Sequence, residues 1–405
     1  MLVALPPLAR PAAAQDPGQR PTVKWDNGLD VETPDSASVF QLGALIQVDG
    51  RFAPDDPQHD VTDTFLVRRA RPILQGRVAK YFEFRFVPGF ANGSVVLFDA
   101  YLDVRFSKTL RLRVGKDKTP AGLEQLYADD SLLIPERTLV SNLLPNRDVG
   151  IQAQGELGGV LTYVAAVFNG VPDGANGDVD PDSGKDVAGR VTLRPFNRSR
   201  VAAMRGMGVA VGATSGRQTG TLPSFKSTAQ QSFFSYATGT TADGDRTRFS
   251  PSAFYYYKSL GAFAEYARTT QAVKGATATA ALTHTAWEVT GSFVLTGELA
   301  SEHGIAPRLP FDPAHGHWGA FELAVRYSHL GVDPLAFAGG FAAPHASRAA
   351  SAIGVGAVLY ASENVKCALS FERTVFDDSP QATHSPEHAV VFRLQLNLQP
   401  TLPKT

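Results

Sequence analysis

The stretch Asp63–Val78, DTFLVRRARPILQGRV, limits what this chain can fold into more than any other. In steps of two, Ala70, Pro72, Leu74, Gly76 and Val78 make a row without charge. The alternate row, Arg69, Arg71, Ile73, Gln75 and Arg77, carries three guanidinium groups. Side chains alternate across a strand, so all three charges point to one side. Two folds can use such a strand. In a soluble sandwich the apolar row faces a core and the arginines meet bulk water. In an outer-membrane barrel the apolar row meets lipid and the arginines line a wet lumen.

The same rhythm recurs along the chain. Phe40, Leu42, Ala44, Ile46 and Val48 alternate with a row holding Gln41, Gln47, Asp49 and Arg51; Phe98, Ala100, Leu102 and Val104 alternate with Asp99, Tyr101, Asp103 and Arg105. Phe321, Leu323, Val325 and Tyr327 alternate with Glu322 and Arg326, and Val390, Phe392, Leu394 and Leu396 with Arg393 and Gln395. Segments of about ten residues with this pattern suit tilted strands that cross a bilayer. Charge sits on the same row in strand after strand, with no helical layer to cover an open sheet, and a closed barrel removes the edges so long a sheet would expose. The fold expected is therefore all-β: a transmembrane antiparallel β-barrel.

Composition supports this by exclusion. No apolar run reaches the 18 or more residues of a membrane helix; Ala352–Ala361 is too short. A net charge of −1 argues against a nucleic-acid partner. The single cysteine, Cys367, rules out an internal disulfide and a cysteine-based zinc site. Residues 1–14 read as an export signal ending in Ala12-Ala13-Ala14, and 15–37 as a disordered polar leader. The barrel is expected over 38–398, with 399–405 as a tail.

Strands are expected near 38–52, 63–78, 80–88, 95–106, 110–118, 148–157, 160–169, 186–196, 201–213, 246–258, 260–271, 283–297, 316–328, 347–361, 364–375 and 387–398. That makes sixteen, an even number as single-chain bacterial barrels have. Connections at the inner end are short and those at the outer end long, 119–147 and 214–245 being the longest. The connection 298–315 breaks this rule, because it is long yet falls at the inner end.

These residues also resemble a known family. FLVRRARPILQGRV, YFEFRFVPGF, LFDAYLDVRF and the run from RVGKDKTPAG to NRDVGIQAQGEL occur in the order and spacing of the phosphate-selective porin O/P family, followed by VFNG, VAGRVTLRPF, VLTGE, HWGAFELAVRYSHL and FRLQLNL. The resemblance spans residues 38–398. It implies a sixteen-stranded homotrimeric outer-membrane channel, with long loops folded into the lumen to form a narrow, arginine-rich anion constriction.

Mapped onto this chain, the resemblance places the anion site at Arg69 and Arg71, with Arg77 on the same row, Lys116, Lys118 and Arg137 as donors from strand five and the loop after it, and Arg147 at the loop's return. Asp99 or Asp103 would be the acid that keeps anions from binding too tightly. Guanidinium forks match phosphate oxygens and lysines act as point charges. Arg68 faces the other way unless a bulge turns it. The plainer reading pairs the lumen arginines with Glu83, Asp99 and Asp103 on neighbouring strands.

Other signals are weak. Asp178-x-Asp180-x-Asp182 lacks the glycine and the twelfth-position acid of a calcium loop. His315 and His317 near Asp312 make a poor metal set, and no Ser–His–acid arrangement points to an enzyme. The function expected is facilitated diffusion of small anions, phosphate foremost, in the outer-membrane lipid and with no cofactor. The alternatives are a general diffusion porin, or a plugged structural or adhesive barrel.

Overall fold

Alternation along the chain becomes alternation through a wall. The computed structural model describes residues 20–399 apart from 26, 55–61, 92, 179 and 181, together with 402. The expected export segment 1–14 and most of the tail 399–405 lie outside the described residues. The wall strands are β1 (Val39–Phe52), β2 (Thr64–Val78), β3 (Phe82–Ala91), β4 (Ser94–Arg105), β5 (Arg111–Lys118), β6 (Arg147–Leu157), β7 (Leu161–Phe168) and β8 (Asp186–Leu193). They continue as β9 (Met207–Gly220), β10 (Thr241–Tyr257), β11 (Leu260–Lys274), β12 (Thr279–Val294), β13 (Ala320–Gly331), β14 (Ser347–Tyr360), β15 (Val365–Asp378) and β16 (Glu387–Leu398). Each pairs antiparallel with the next, and β16 returns to β1, with Leu394 opposite Val48. The sixteen strands thus close into a barrel, which satisfies in-wall backbone groups that lipid could not.

In β1 the exposed residues Phe40, Leu42, Ile46 and Val48 alternate with the buried residues Gln41, Gln47 and Asp49. The polar row therefore faces inward and the apolar row faces lipid. At one end the turns are mostly short, as between β2 and β3 or β10 and β11; by the usual asymmetry of such barrels this is the periplasmic end.

Several boundaries differ from the expected ones. The ninth strand runs over Met207–Gly220 instead of 201–213, and the tenth begins at Thr241. The polar run Ser215–Gly220 reads as loop, but Arg217 pairs opposite Asp245 as the ladder continues beyond the apolar band. The connection expected over 214–245 shrinks to 221–240. In the leader, Thr22–Trp25 and Leu29–Glu32 form an ordered hairpin, and Leu29–Glu32 pairs with Val39–Leu42 beside the end of β16. Its Leu29/Val31 alternation suits the barrel edge, so this part of the leader is not disordered.

The connection between β12 and β13, the long one at the short-turn end, turns back against the inner wall. Ala300 and Ile305 pack with Val294, Ala320, Val358 and Tyr360, and Glu302 bonds Arg194 at 2.6 Å.

An apolar cluster joins residues far apart in sequence. Leu139, Val140, Leu143 and Leu144, from the connection between β5 and β6, meet Phe225, Phe233 and Phe234 from the connection between β9 and β10. Both pack on Ala267, Leu282, Ala286, Leu330 and Ala350, inward residues of β11–β14. Full burial of a leucine or phenylalanine stabilises by about 1.5–3 kcal/mol, so this cluster fixes both segments to that half of the wall. The opposite half keeps its charge.

Candidate functional site

The segment 119–146 leaves β5 through Gly122, whose φ of +82° suits glycine; an added Cβ would sit 2.5 Å from Leu144 Cδ1. Glu265 of β11 then accepts the backbone N–H groups of Leu123 (2.6 Å) and Glu124 (3.1 Å). Arg326 of β13 donates to the carbonyl of Glu136 at 2.6 Å and to both Glu372 oxygens, at 2.8 and 2.9 Å. Further round the wall Lys366 of β15 donates to the carbonyl of Leu132 at 2.9 Å and Gln395 of β16 to that of Asp130 at 3.1 Å. The segment is thus bonded to inward side chains of β11, β13, β15 and β16.

Two acids of this segment meet the arginines of the wall. Asp129 accepts from Arg137 Nη1 (Oδ1, 2.6 Å) and Arg69 Nη2 (Oδ1, 3.3 Å), and closely from Arg71 Nη1. Glu136 accepts from Arg68 Nε (2.8 Å) and Nη2 (3.0 Å), from Arg393 at 3.2 Å, and closely from Arg51. Arg393 also forks onto Asp49 at 2.6 and 2.7 Å. Arg71 lies over the Phe98 ring, 3.5 Å from its centroid, which fixes the plane of the guanidinium.

Arg68 reaches Glu136 because the β1–β2 register slips between Gln47 and Val48. Val67 pairs with Val48 and Arg69 with Gln47, so Arg68 is the extra residue of a bulge. The bulge turns a third guanidinium of the RRAR run inward, beside those of Arg69 and Arg71.

These groups line a cavity of about 510 Å³. Its walls carry Arg68, Arg69, Arg71, Arg137, Arg147 and Lys226 against Asp129, Glu136 and Asp173, an excess of positive charge. Asp173 is itself bonded by Arg248. A separate cavity of about 20 Å³ lies among Glu124, Tyr127, Tyr256, Glu302 and Arg326.

Of the residues singled out in the sequence, Arg69, Arg71, Arg137 and Arg147 come together here. Asp99 stands behind them, accepting from Arg147 Nε at 2.7 Å and from Arg85 at 3.4 Å. Lys118 is turned to the carbonyls of Leu126 (3.3 Å) and Tyr127 (2.6 Å), where it supports the segment. Lys116 pairs with Asp178 outside the cavity lining. Arg77 is buried near the short-turn end, opposite Val39 and Glu83 and roughly 20 Å along the strand from Arg71. Neighbouring-strand pairing holds elsewhere, as in Glu83–Arg105 and Asp103–Arg113. Sequence reasoning missed Asp129, Glu136 and Arg393. For the two acids the only signal was charge inside an otherwise apolar loop, as in LLIPERTLV, whereas Arg393 stood on the polar row of the last strand without being singled out.

Burial alone would raise the Asp129 carboxyl, but Arg69, Arg137 and Arg71 outweigh it and hold it well below the usual range. Burial likewise opposes, and Arg68, Arg393 and Arg51 overcome, in the case of Glu136. A depressed folded pKa gives stability that is complete above the ordinary carboxyl value and lost as pH falls through the folded one. Glu136→Gln should therefore cost about 3–5 kcal/mol, as expected for breaking a buried pair. Its deficit in melting temperature against wild type should be the same at about pH 5 and about pH 8, shrinking only in strong acid. A deficit that already shrinks at pH 5 would contradict the depressed value.

No curated protein matches the chain. Among solved structures it is similar to the outer membrane channel DcaP of Acinetobacter baumannii, at 10% identity and a TM-score of 0.58, covering 89% of this chain and 98% of that one. It is also similar to the trimer form of Vibrio cholerae OmpT (10%, 0.53, 89% and 99%) and to Pseudomonas putida OprB (10%, 0.53, 90% and 94%). At such identities these likenesses speak to the fold alone. The family model for phosphate-selective porin O and P matches residues 40–398, the whole closed wall and the arginine-bearing segment within it. The chain is an outer-membrane porin and belongs to that family.

Proposed function

We propose that this porin passes small anions, phosphate foremost, by facilitated diffusion along the charged half of its lumen, as a channel and not an enzyme. One observation supports the anion preference above all: six basic side chains face three acids around the cavity, and three guanidinium groups share the single carboxylate of Asp129. Such a site offers oxyanions forked donors in exchange for water, and conduction needs that exchange to be favourable but shallow. The name of the family points the same way. A homotrimer is part of this reading, supported by the trimer form described for OmpT.

The test is the single-channel reversal potential of purified protein in a planar bilayer under a KCl gradient, repeated with phosphate. Anion-selective current that phosphate blocks is expected. Weakly selective, phosphate-indifferent current would instead identify a general diffusion pore. A plugged barrel is the second reading, because the apolar cluster and the segment 119–146 fill so much of the lumen. Absence of conductance from folded protein would establish it.

A further inference from the structure

The lipid-facing row is bulky on most strands, where phenylalanine, leucine and valine stand exposed. It thins on β10–β12 near the short-turn end. There Ala253 pairs opposite Ala264, and Ala262 opposite Gly291, so four small outward residues lie side by side. Ala253, Ala262 and Ala264 floor a groove of about 360 Å³, walled by Phe196, Met207 and Val289. Of the side chains that line it, only Tyr255 carries an oxygen or nitrogen. A trough one side chain deep in a membrane-facing wall suits an alkyl chain, which gains dispersion contacts along its length.

Charge stands at one end of this trough. The β8–β9 connection carries Arg198, Arg200 and Arg205, and the β10–β11 turn carries Lys258; neither connection holds an acid. All four bases are exposed. None of them forms an ion pair among the described residues, unlike Arg194, which Glu302 holds at 2.6 Å. Arg198 stands next but one to Phe196, and Arg205 next but one to Met207, so the bases flank the end of the groove. Arg205 Nε donates to the Ser199 carbonyl at 2.6 Å, which ties the two sides of the turn together. Beside them Tyr255 and Tyr257 stack with ring centroids 6.4 Å apart. Such amphipathic rings belong at head-group depth.

We propose that this face binds an anionic phospholipid of the periplasmic leaflet, with one acyl chain in the trough and the phosphate held by Arg198, Arg200, Arg205 and Lys258. Basic pockets beside membrane-spanning segments recognise such head groups, and guanidinium forks match phosphate oxygens. The charge decides between occupants. Free phosphate would answer the bases and leave the trough empty. A zwitterionic lipid brings a cation that the bases repel.

The experiment adds dioleoylphosphatidylglycerol or dioleoylphosphatidylcholine to purified protein in detergent and counts bound lipid by native mass spectrometry. Wild type should retain phosphatidylglycerol at a concentration at least about tenfold lower. Replacing Arg198, Arg200 and Arg205 together by glutamine should erase that preference. Ala253→Leu with Ala264→Leu fills the trough without adding polarity and should weaken retention of both lipids. Equal retention by wild type, or a preference that survives the glutamine variant, would overturn the proposal. So would full displacement of the lipid by an equal concentration of inorganic phosphate, which would mark a bare anion patch. If wild type retains no lipid and filling the trough lowers the oligomer's mass, this face is a subunit interface instead. Should either variant fail the heat-modifiable migration that marks a folded barrel, phosphatidylglycerol with a diazirine on its acyl chain locates the site in wild type. Label is expected on β9–β11; label spread evenly round the wall overturns the proposal.

Discussion

Replacing Arg69 and Arg71 together by alanine should lower the anion-over-cation permeability ratio by at least about tenfold, since a unit charge a few ångströms from the path is worth about 1 kcal/mol even in a water-like dielectric. The pair supplies two of the cavity's six basic groups and two of the three guanidinium groups on Asp129. Their removal also leaves Arg137 as the remaining close partner of Asp129, so three guanidinium groups against one carboxylate become one against one. Reversal potentials under a KCl gradient measure this directly. Unchanged selectivity in the double variant would remove the anion site from this wall.

Arg326→Ala should have the largest effect on stability. Arg326 is 3% exposed and serves Glu372, Glu124 and the Glu136 carbonyl at once. Without it, buried carboxylates lose their cation, a change that costs about 3–5 kcal/mol. The 119–146 segment also loses its tie to β13, so larger and noisier single-channel currents should accompany a lower denaturation midpoint. Arg326→Leu combined with Glu372→Leu should recover much of the midpoint, because a buried pair replaced by apolar groups is often neutral. If the single variant melts like wild type, Glu265, Lys366 and Gln395 suffice to hold the segment.

Much of the barrel was legible because lipid and water impose a two-residue period, and each strand inside the apolar band repeats it. Strand ends were not, since above that band the ladder continues through polar residues such as Arg217 and Asp245 that carry no such period. Parity alone placed Arg69 and Arg71 inside. Arg68 needed the register slip opposite Gln47 and Val48, which depends on the partner strand and not on its own neighbours. Asp129 and Glu136 lie in irregular chain, where no periodicity relates a side chain to the wall it will meet. Their arginines come from β1, β2 and β16 as well as the segment itself, separations of up to 257 residues for Glu136 and Arg393.

The apolar filling against β11–β14 does more than narrow the lumen. Water beside an ion path polarises and spreads the field of nearby charges; a block of leucine, phenylalanine and alanine does not. With Leu139, Leu143, Phe225 and Phe234 occupying one side, field lines from the arginines are confined to the other. The hydrocarbon filling acts as an insulator laid along a conductor, so the field of the guanidinium groups around the cavity is spread less than it would be in open water.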